Sequence, residues 1–98
     1  MLYSQRSAMR LDKFLTVARL VKQRARAKEM CDAGHVKIGG KSAKAGRDVN
    51  EGETVELTFP RRRLVVRVAT VPAAKSVSKE AARTLYDVMA EERTGALE

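Results

Sequence analysis

The sequence predicts an α+β fold made of two helices, a small sheet and a last helix. Three observations support this fold class. Apolar residues keep helical spacing between residues 11 and 33, they alternate with polar residues between residues 54 and 71, and helical spacing returns after residue 78. The 98 residues allow one small domain with a compact core but no deep, multilayered active site. A surface that binds a large partner is therefore more expected here than an enzyme active site.

The first two helices are indicated by their apolar stripes. The first stripe occupies positions i, i+3, i+4 and i+7 and consists of Leu11, Phe14, Leu15 and Ala18. The second helix is predicted from about Lys22 to Ala33. Its buried residues are expected to be Ala27, Met30 and Cys31. Gly34 is expected to end this helix in the left-handed conformation, which glycine adopts without a steric penalty.

Short apolar segments separated by turns predict the sheet. Gly39-Gly40 is expected to form a tight hairpin turn, and Asn50 to Glu53 a second turn. Pro60 and Arg61 to Arg63 would join the last two strands of the sheet. The predicted strands are Val36 to Ile38, Lys41 to Ala43, Thr54 to Phe59 and Leu64 to Val71.

A closing helix is predicted from Lys79 to about Glu92. Ser78 suits its N-cap, because a serine hydroxyl accepts a hydrogen bond from a free backbone N–H of the first turn. The apolar face is expected to consist of Ala82, Leu85, Tyr86 and Met89. Since this segment carries little net charge, it is expected to pack on the sheet without contacting phosphate.

The charge of the chain is strongly positive and unevenly distributed. Its 20 Lys and Arg residues and 12 Asp and Glu residues give a net charge of +8. The net charge is +5 over residues 1–34, +4 over residues 35–71 and −1 over residues 72–98. A positive excess of this size concentrates polyanions around a protein. Nucleic acid is therefore the expected partner, bound by the first two thirds of the chain.

Composition disfavours several other classes of protein. No apolar run approaches the ~20 residues that cross a bilayer, and no signal-peptide pattern opens the chain, so a cytoplasmic protein without a membrane partner is expected. The single Cys31 excludes an internal disulfide framework. The chain has two Tyr and two Phe residues, too few for a sheet that stacks single-stranded bases on several rings.

Basic residues cover much of the exposed side of the second helix. They are Lys22, Arg24, Arg26 and Lys28. Arginine can bind phosphate oxygens through two N–H groups and stays protonated, so this segment suits a phosphate backbone. The alternative is a set of ordinary surface charges, partly paired at helical spacing through Glu29 and Asp32. Two acids cannot neutralise so many bases, which favours phosphate binding.

A DNA-binding helix-turn-helix over residues 10–34 is a competing interpretation. Its recognition helix would present Gln23 and Arg24 to base edges. The basic strands that follow would then have no role, which ranks this interpretation below RNA binding.

Enzymatic function, for example as a nuclease, is disfavoured. Cys31 and His35 are four residues apart, but the end of a helix carries partial negative charge and disfavours a thiolate. No third or fourth metal ligand is evident near them. The segment from Gly39 to Ser42 lacks the first glycine of a phosphate-binding loop, so a hairpin turn is the better interpretation.

The chain from about Met9 to Val71 resembles the S4 RNA-binding domain. The resemblance is carried by the opening Arg10-Leu11-Asp12-Lys13-Phe14-Leu15 and by a second helix that ends at a glycine. Further matching residues are Arg19, Leu20, Lys22, Arg24, Ala27, Gly34, Val36, Ile38, Gly39, Lys41, Asp48, Val49, Gly52 and Glu53. Among S4 proteins the chain is most similar to the RqcP family, and next to the small heat-shock S4 protein of ribosome recycling.

The resemblance implies an αα motif packed on a small, twisted antiparallel sheet, with no enzymatic activity and no cofactor. The RqcP family further implies binding to rRNA and tRNA on a dissociated large ribosomal subunit that still carries peptidyl-tRNA. It also implies assistance to a tail-elongating factor in ribosome-associated quality control. A general ribosome-assembly or recycling factor is the alternative within RNA binding. The protein is expected to be a monomer.

The family's RNA contacts carry over only where this chain matches. Arg10 and Arg24 match its two most diagnostic arginines and would touch the rRNA and tRNA backbone. Asp12 would orient a neighbouring arginine or cap backbone amides, or else be a charge favoured by the helix macrodipole. With the flanking basic positions and the bases of the second helix, the predicted RNA-binding residues are Arg10, Lys13, Arg19, Lys22, Arg24, Arg26, Lys28 and Lys41.

Two segments depart from the S4 pattern. Met1 to Ala8 precede the usual start of the family and form an N-terminal extension or reflect a misassigned start. Arg61 to Arg63 are not part of the S4 motif. The predicted organisation is an N-terminal segment over residues 1–8, an S4 domain over residues 9–71 and a helical extension over residues 72–98.

Overall fold

The computed structural model describes residues 9–72 and 77–93, so the expected N-terminal extension lies outside the described residues. The helices are α1 (Leu11–Val17), α2 (Arg24–Asp32) and α3 (Lys79–Ala82), and a 3-10 turn spans Arg83–Leu85. The strands are β1 (Met9–Arg10), β2 (Val36–Ile38), β3 (Lys41–Ser42), β4 (Asp48–Val49), β5 (Thr54–Phe59), β6 (Arg62–Val68) and β7 (Tyr86–Arg93).

The strands form two antiparallel groups. β1 and β4 make a short ribbon, and the other strands make a sheet in the order β3-β2-β5-β6-β7. Gly39 and Gly40 have φ angles of 61° and 85°, as a two-residue hairpin turn with positive φ at both positions requires. The predicted α+β fold class, with a helix pair, an antiparallel sheet and a short C-terminal helix, is confirmed.

The core lies between the helix pair and one face of the sheet. Both predicted helical stripes are buried, and the deepest side chains of α1 are Leu11, Phe14 and Leu15. The sheet contributes a matching set of buried residues, among them Val36, Val55, Leu57 and Val66. Burying a Leu or Phe side chain stabilises a fold by ~1.5–3 kcal/mol. This packing fixes α1 and α2 against each other and so sets the positions of the basic residues on them.

Both long helices end in the same hydrogen-bonded cap. Gly34 follows α2 with a φ of 81°, as predicted, and Arg19 occupies the equivalent position after α1 with a φ of 60°. The closing backbone bonds run from His35 N–H to Met30 O (2.9 Å) and from Leu20 N–H to Leu15 O (2.9 Å). A left-handed arginine costs ~1–2 kcal/mol relative to the right-handed conformation. The rest of the structure therefore holds Arg19 in a conformation that its own backbone disfavours.

The predicted extent of the closing helix is wrong. Ser78 caps α3 as expected, since its Oγ accepts a hydrogen bond of 3.1 Å from the N–H of Ala81. Ala82 and Leu85 are buried as predicted. However, the helix ends at Ala82, and the segment Tyr86–Arg93 is strand β7.

Pairing with β6 explains why the last segment is extended. Without β7, the edge of the apolar strand β6 would present unpaired backbone groups. The pairing also brings Glu91 to Arg62 (3.0 Å) and Glu92 to Arg63 (3.2 Å). These contacts form only in the tertiary structure, so helical spacing in the sequence did not reveal them. Met89 accordingly lies 59% exposed instead of on a buried face.

The arginine triplet lies mostly inside the sheet instead of forming a connection. β6 begins at Arg62, and the turn after β5 consists of Pro60 and Arg61. Arg63 also binds Glu56 of β5 at 2.7 Å, so two of the three arginines join neighbouring strands. β6 ends at Val68 instead of Val71, and the division of the chain into domains at that point stays a prediction.

Candidate nucleic-acid interface

A buried carboxylate holds two arginines side by side. Asp12 is 3% exposed. Its Oδ1 lies 3.2 Å from Nε of Arg10, and its Oδ2 lies 3.3 Å from Nη2 of the same arginine and 3.3 Å from Nε of Arg24. These are the two arginines that the S4 resemblance ranks first. We call Arg10, Asp12 and Arg24 the arginine clamp.

Three separate elements supply the clamp. Arg10 ends β1, Asp12 lies in the first turn of α1, and Arg24 begins α2. The backbone N–H groups of Leu11 and Asp12 donate to carbonyls of the chain segment before β4, at Arg47 (2.8 Å) and Ala45 (3.1 Å). The Asp12 carboxylate also accepts a 2.8 Å hydrogen bond from the N–H of Lys13. Asp12 therefore both orients arginines and caps a backbone amide, and it lies where the helix macrodipole favours an acid.

The carboxylate of Asp12 is ionised at neutral pH. Burial raises its pKa, but hydrogen bonds from Arg10 and Arg24 and the charges of these two arginines outweigh burial, so the pKa lies below its ordinary value. An ionised acid between two guanidinium groups leaves the clamp with one net positive charge. It also prevents the two cations from turning away from each other.

Both guanidinium groups retain surface for a ligand. Each arginine side chain is 51% exposed, although the acid between them is buried. Arg24 contacts Asp12 through Nε, and Arg10 contacts it through Nε and Nη2, so Nη1 of Arg10 makes no hydrogen bond to Asp12 in the described structure. A guanidinium has five N–H donors, so the remaining ones can bind phosphate oxygens. The clamp thus presents two pre-oriented cations to solvent.

The other basic residues of this region are exposed and unpaired within the described residues. Arg26 and Lys28 lie on α2, and Lys22 precedes it. The pairs expected under the alternative interpretation, with Glu29 and Asp32, do not form in the part of the chain that the structure describes. Their positive charge is therefore available to an external anion.

Cys31 has none of the properties of a reactive thiol. It is buried on α2, and burial, with the charges of Asp12 and Asp32, raises its pKa to about 11. The thiol is protonated at neutral pH. Within residues 9–72 and 77–93, no three acidic, His or Cys side chains are placed to hold a metal ion. No helix of those residues is long and apolar enough to cross a membrane.

Comparison with known proteins places the chain in a family. The model of the S4 domain matches residues 9–55, which contain the whole arginine clamp. The RQC P-site tRNA stabilizing factor (RqcP) of Halalkalibacterium halodurans is 45% identical over 84 residues, which cover 86% of this chain and 93% of that protein. The chain belongs to the RqcP family.

Further RqcP relatives and a solved structure agree with this placement. The RqcP of Bacillus subtilis is 40% identical and covers 89% of this chain and 99% of its own length. The trimeric heat shock protein 15 of Vibrio cholerae has a TM-score of 0.78 at 27% identity, covering 86% of this chain and 84% of its own. The expectation that this RqcP family member is a monomer stays a prediction.

Besides Lys22, Arg26 and Lys28, three further predicted site residues of this RqcP family member lie outside the clamp contacts. Arg19 points its Nη2 to the carbonyl of Val77, 3.2 Å away, so it ties the end of α1 to the chain before α3. Lys13 is half-buried on α1, and Lys41 is exposed on β3. None of the three contacts Asp12 through its side chain in the described structure.

Residues 44–47, between β3 and β4, lie next to the clamp, although no role is predicted for them from the sequence. A Cβ built on Gly46 would lie 3.7 Å from Nη2 of Arg10, so the guanidinium packs against this glycine. Lys44 is exposed between buried Ala43 and Ala45, and it adds a positive charge to the same segment. The alternation of small apolar residues with a lysine was the available signal, since it predicts one buried and one exposed face.

Proposed function

We propose that this RqcP family member is a non-enzymatic RNA-binding protein that binds rRNA and tRNA on the large ribosomal subunit. The arginine clamp carries the proposal, because it places two oriented, half-exposed cations next to the exposed basic residues of α2. Phosphate backbones are recognised by such arrays of arginine and lysine. The predicted contacts are Arg10, Lys13, Arg19, Lys22, Arg24, Arg26, Lys28 and Lys41.

The more specific role is assistance in ribosome-associated quality control. Relatives 45% and 40% identical are P-site tRNA stabilizing factors, and both are covered almost completely by the match. We therefore propose that the chain holds peptidyl-tRNA on a stalled large subunit in the cytoplasm while a tail-elongating factor extends the nascent chain. No cofactor enters this proposal, since the proposed contacts are made by charged side chains alone.

A general assembly or recycling factor is the second candidate. The likeness to heat shock protein 15 supports it, because that protein shares the fold over most of both chains. A DNA-binding helix-turn-helix has less support. Its recognition helix would need Arg24 to reach base edges, whereas Nε of Arg24 binds Asp12.

Sedimentation with purified large subunits tests the proposal. The protein is mixed with subunits that carry P-site peptidyl-tRNA, with empty subunits and with genomic DNA fragments, and each mixture is run on a gradient. We expect strong co-sedimentation with the loaded subunits and loss of it in an Arg10→Ala/Arg24→Ala variant. Arg61→Ala, an exposed arginine outside the predicted contacts, is the matched control and should bind normally.

The outcomes separate the three candidates. Equal binding to loaded and empty subunits would favour the assembly or recycling factor. Preference for DNA would favour the helix-turn-helix. Loaded-subunit binding that survives loss of both clamp arginines would overturn the proposed site.

A further inference from the structure

A groove outside the arginine clamp lies between α2 and the turn that joins β5 to β6. Its volume is about 450 Å³, within the range of ~300–1,000 Å³ typical of small-ligand sites. Met30, Phe59 and Pro60 give it an apolar lining, and its polar side chains are Arg26, Glu29, His35 and Thr58. The N–H of Thr58 donates to the carbonyl of His35 at 2.9 Å, which fixes the end of α2 to β5.

Three charged or titratable side chains of the groove, Arg26, Glu29 and His35, have no side-chain partner among the described residues. Arg26 and Glu29 are one helical turn apart and exposed, yet they form no ion pair with each other in the described structure. No side-chain hydrogen bond of Arg26, Glu29 or His35 is found among residues 9–72 and 77–93. A cation, a carboxylate and an imidazole therefore line one apolar groove, and their side chains form no hydrogen bond with another residue of the described ranges.

The aromatic ring of the groove is held in place. Arg62 lies over the ring of Phe59, with its guanidinium carbon 4.8 Å from the ring centroid, and Arg62 is bound in turn by Glu91 at 3.0 Å. This stack joins the ring to the sheet through β7. A fixed ring with an apolar floor suits a flat ligand better than a flexible chain.

The chemistry of the groove fits a nucleobase. RNA-binding proteins receive unstacked bases against Phe or His side chains and bind their edges by hydrogen bonds. The attached phosphate requires a cation. Arg26 provides one on α2, the helix whose basic residues are proposed to face RNA. An apolar peptide side chain would use Met30 and Phe59 but leave Arg26 and Glu29 without partners. A cation for the phosphate beside an acid for the N–H donors of a base therefore favours RNA as the occupant.

We infer that this groove receives one unstacked RNA base, preferably guanine, while the arginine clamp binds the backbone elsewhere. Guanine presents N1–H and N2–H₂ next to each other on one edge, so both can donate to the two oxygens of Glu29. Arg26 binds the phosphate, and Phe59 contacts the base. The inference rests on the proposed RNA-binding function and adds base selection to it.

Nuclear magnetic resonance titration of the isolated, full-length protein tests the inference. The four ribonucleoside 5′-monophosphates, inorganic phosphate and N-acetylphenylalaninamide are added separately, and the backbone amide signals of Ala33, His35, Thr58 and Phe59 are followed. We expect saturable shifts with GMP and weaker ones with the other nucleotides. Glu29→Gln should weaken GMP binding about fivefold or more, because a bidentate base contact is worth ~1–3 kcal/mol. Glu51→Gln, an exposed acid in a turn, is the charge-matched control.

Every other pattern contradicts the inference. Equal responses to inorganic phosphate and to all nucleotides would show a phosphate site without base recognition. A response to N-acetylphenylalaninamide alone would show a peptide-docking groove, and no response would show an unused groove. A GMP preference that Glu29→Gln leaves intact would remove the proposed contact.

The titration and the sedimentation experiment fail independently. If GMP does not bind while large-subunit binding still requires Arg10 and Arg24, only the base site is wrong. If subunit binding ignores those two arginines, the proposed function is wrong, whatever the nucleotide titration gives.

Discussion

Nε of Arg24 lies 3.3 Å from Oδ2 of Asp12, so the first residue of α2 is tied to the first turn of α1. Arg10 reaches the same carboxylate from β1. The acid is buried while both guanidinium groups remain half exposed. An acid inside a proposed phosphate-binding surface therefore acts as a support for the arginines, although its own charge repels phosphate.

Replacing Asp12 distinguishes its role in orienting the two arginines from the effect of its charge on RNA binding. Asp12→Asn raises the net charge of the chain, which by itself strengthens binding to a polyanion. We expect weaker binding, because two freed arginines must be ordered again at about 0.5–1.5 kcal/mol each, a loss of roughly five- to 150-fold in affinity. Affinity for large subunits, measured by sedimentation or fluorescence, gives the answer. Asp32→Asn, an exposed acid on α2, changes the net charge equally and should not weaken binding. A gain in affinity for both variants would contradict the supporting role.

The free energy of unfolding should depend on pH through the ionisation of Asp12. The folded pKa of Asp12 lies below its ordinary value of 3.8, so the ionised form stabilises the fold above that value. This stabilisation is lost as the pH falls from 3.8 through the lower folded pKa. Hydrogen bonds from Arg47 and Arg63 are the largest cause of the lowered pKa values of Glu53 and Glu56. These two acids therefore also contribute to the loss of stability at low pH. Urea unfolding at several pH values should show a smaller acid loss in Asp12→Asn than in the wild type. Identical acid losses would show that the clamp does not stabilise the ionised acid.

The salt dependence of RNA binding should report the number of phosphates contacted. With roughly five phosphates neutralised, the slope of log K against log salt is expected at about −3.5 to −4.5. Arg24→Ala and Arg10→Ala should each reduce its magnitude by ~0.7–0.9, since each removes one phosphate contact. Arg61→Ala should leave the slope unchanged. Filter binding over a range of salt concentrations measures all four, and a wild-type slope near zero would mean that the positive charge is not the binding device.

Two apolar residues near the C-terminus distinguish the strand from the predicted helix. Leu85 is 4% exposed and Met89 is 59% exposed. We expect Leu85→Ala to cost ~2–5 kcal/mol of unfolding free energy, and Met89→Ala to stay within about ±0.5 kcal/mol. A continuous helix would bury both residues on one face and make both substitutions costly. Urea denaturation of the two variants compares the alternatives.

Arg19 should reveal the strain of its left-handed conformation. Arg19→Ala and Arg19→Gly both lose the hydrogen bond to Val77, but only glycine adopts a φ of 60° without penalty. The glycine variant is therefore expected to be more stable than the alanine variant by ~1–2 kcal/mol. Denaturation midpoints measure the difference. Equal stability would indicate that α1 ends differently in solution.

Elements with a local signal are predictable from the amino-acid order alone. The stripes of α1 and α2 gave the buried residues Phe14, Leu15 and Ala27, because helical spacing alone decides which side chains share a face. Gly34 and the Gly39-Gly40 turn were predicted because positive φ selects glycine. The S4 resemblance likewise singled out Arg10 and Arg24 before their contacts were known.

Contacts between distant segments depend on how the whole chain packs. Residues 86–93 have helical spacing, yet they form a strand. Backbone pairing with the edge of β6 and ion pairs with its arginines stabilise the extended conformation, since pairing and burial override local preference. The convergence of Arg10 and Arg24 on Asp12 requires β1, α1 and α2 to be packed first. Gly46 lies next to the guanidinium of Arg10 for the same reason. Local spacing fixes which face a residue occupies, whereas its partner on that face depends on the packing of the whole chain.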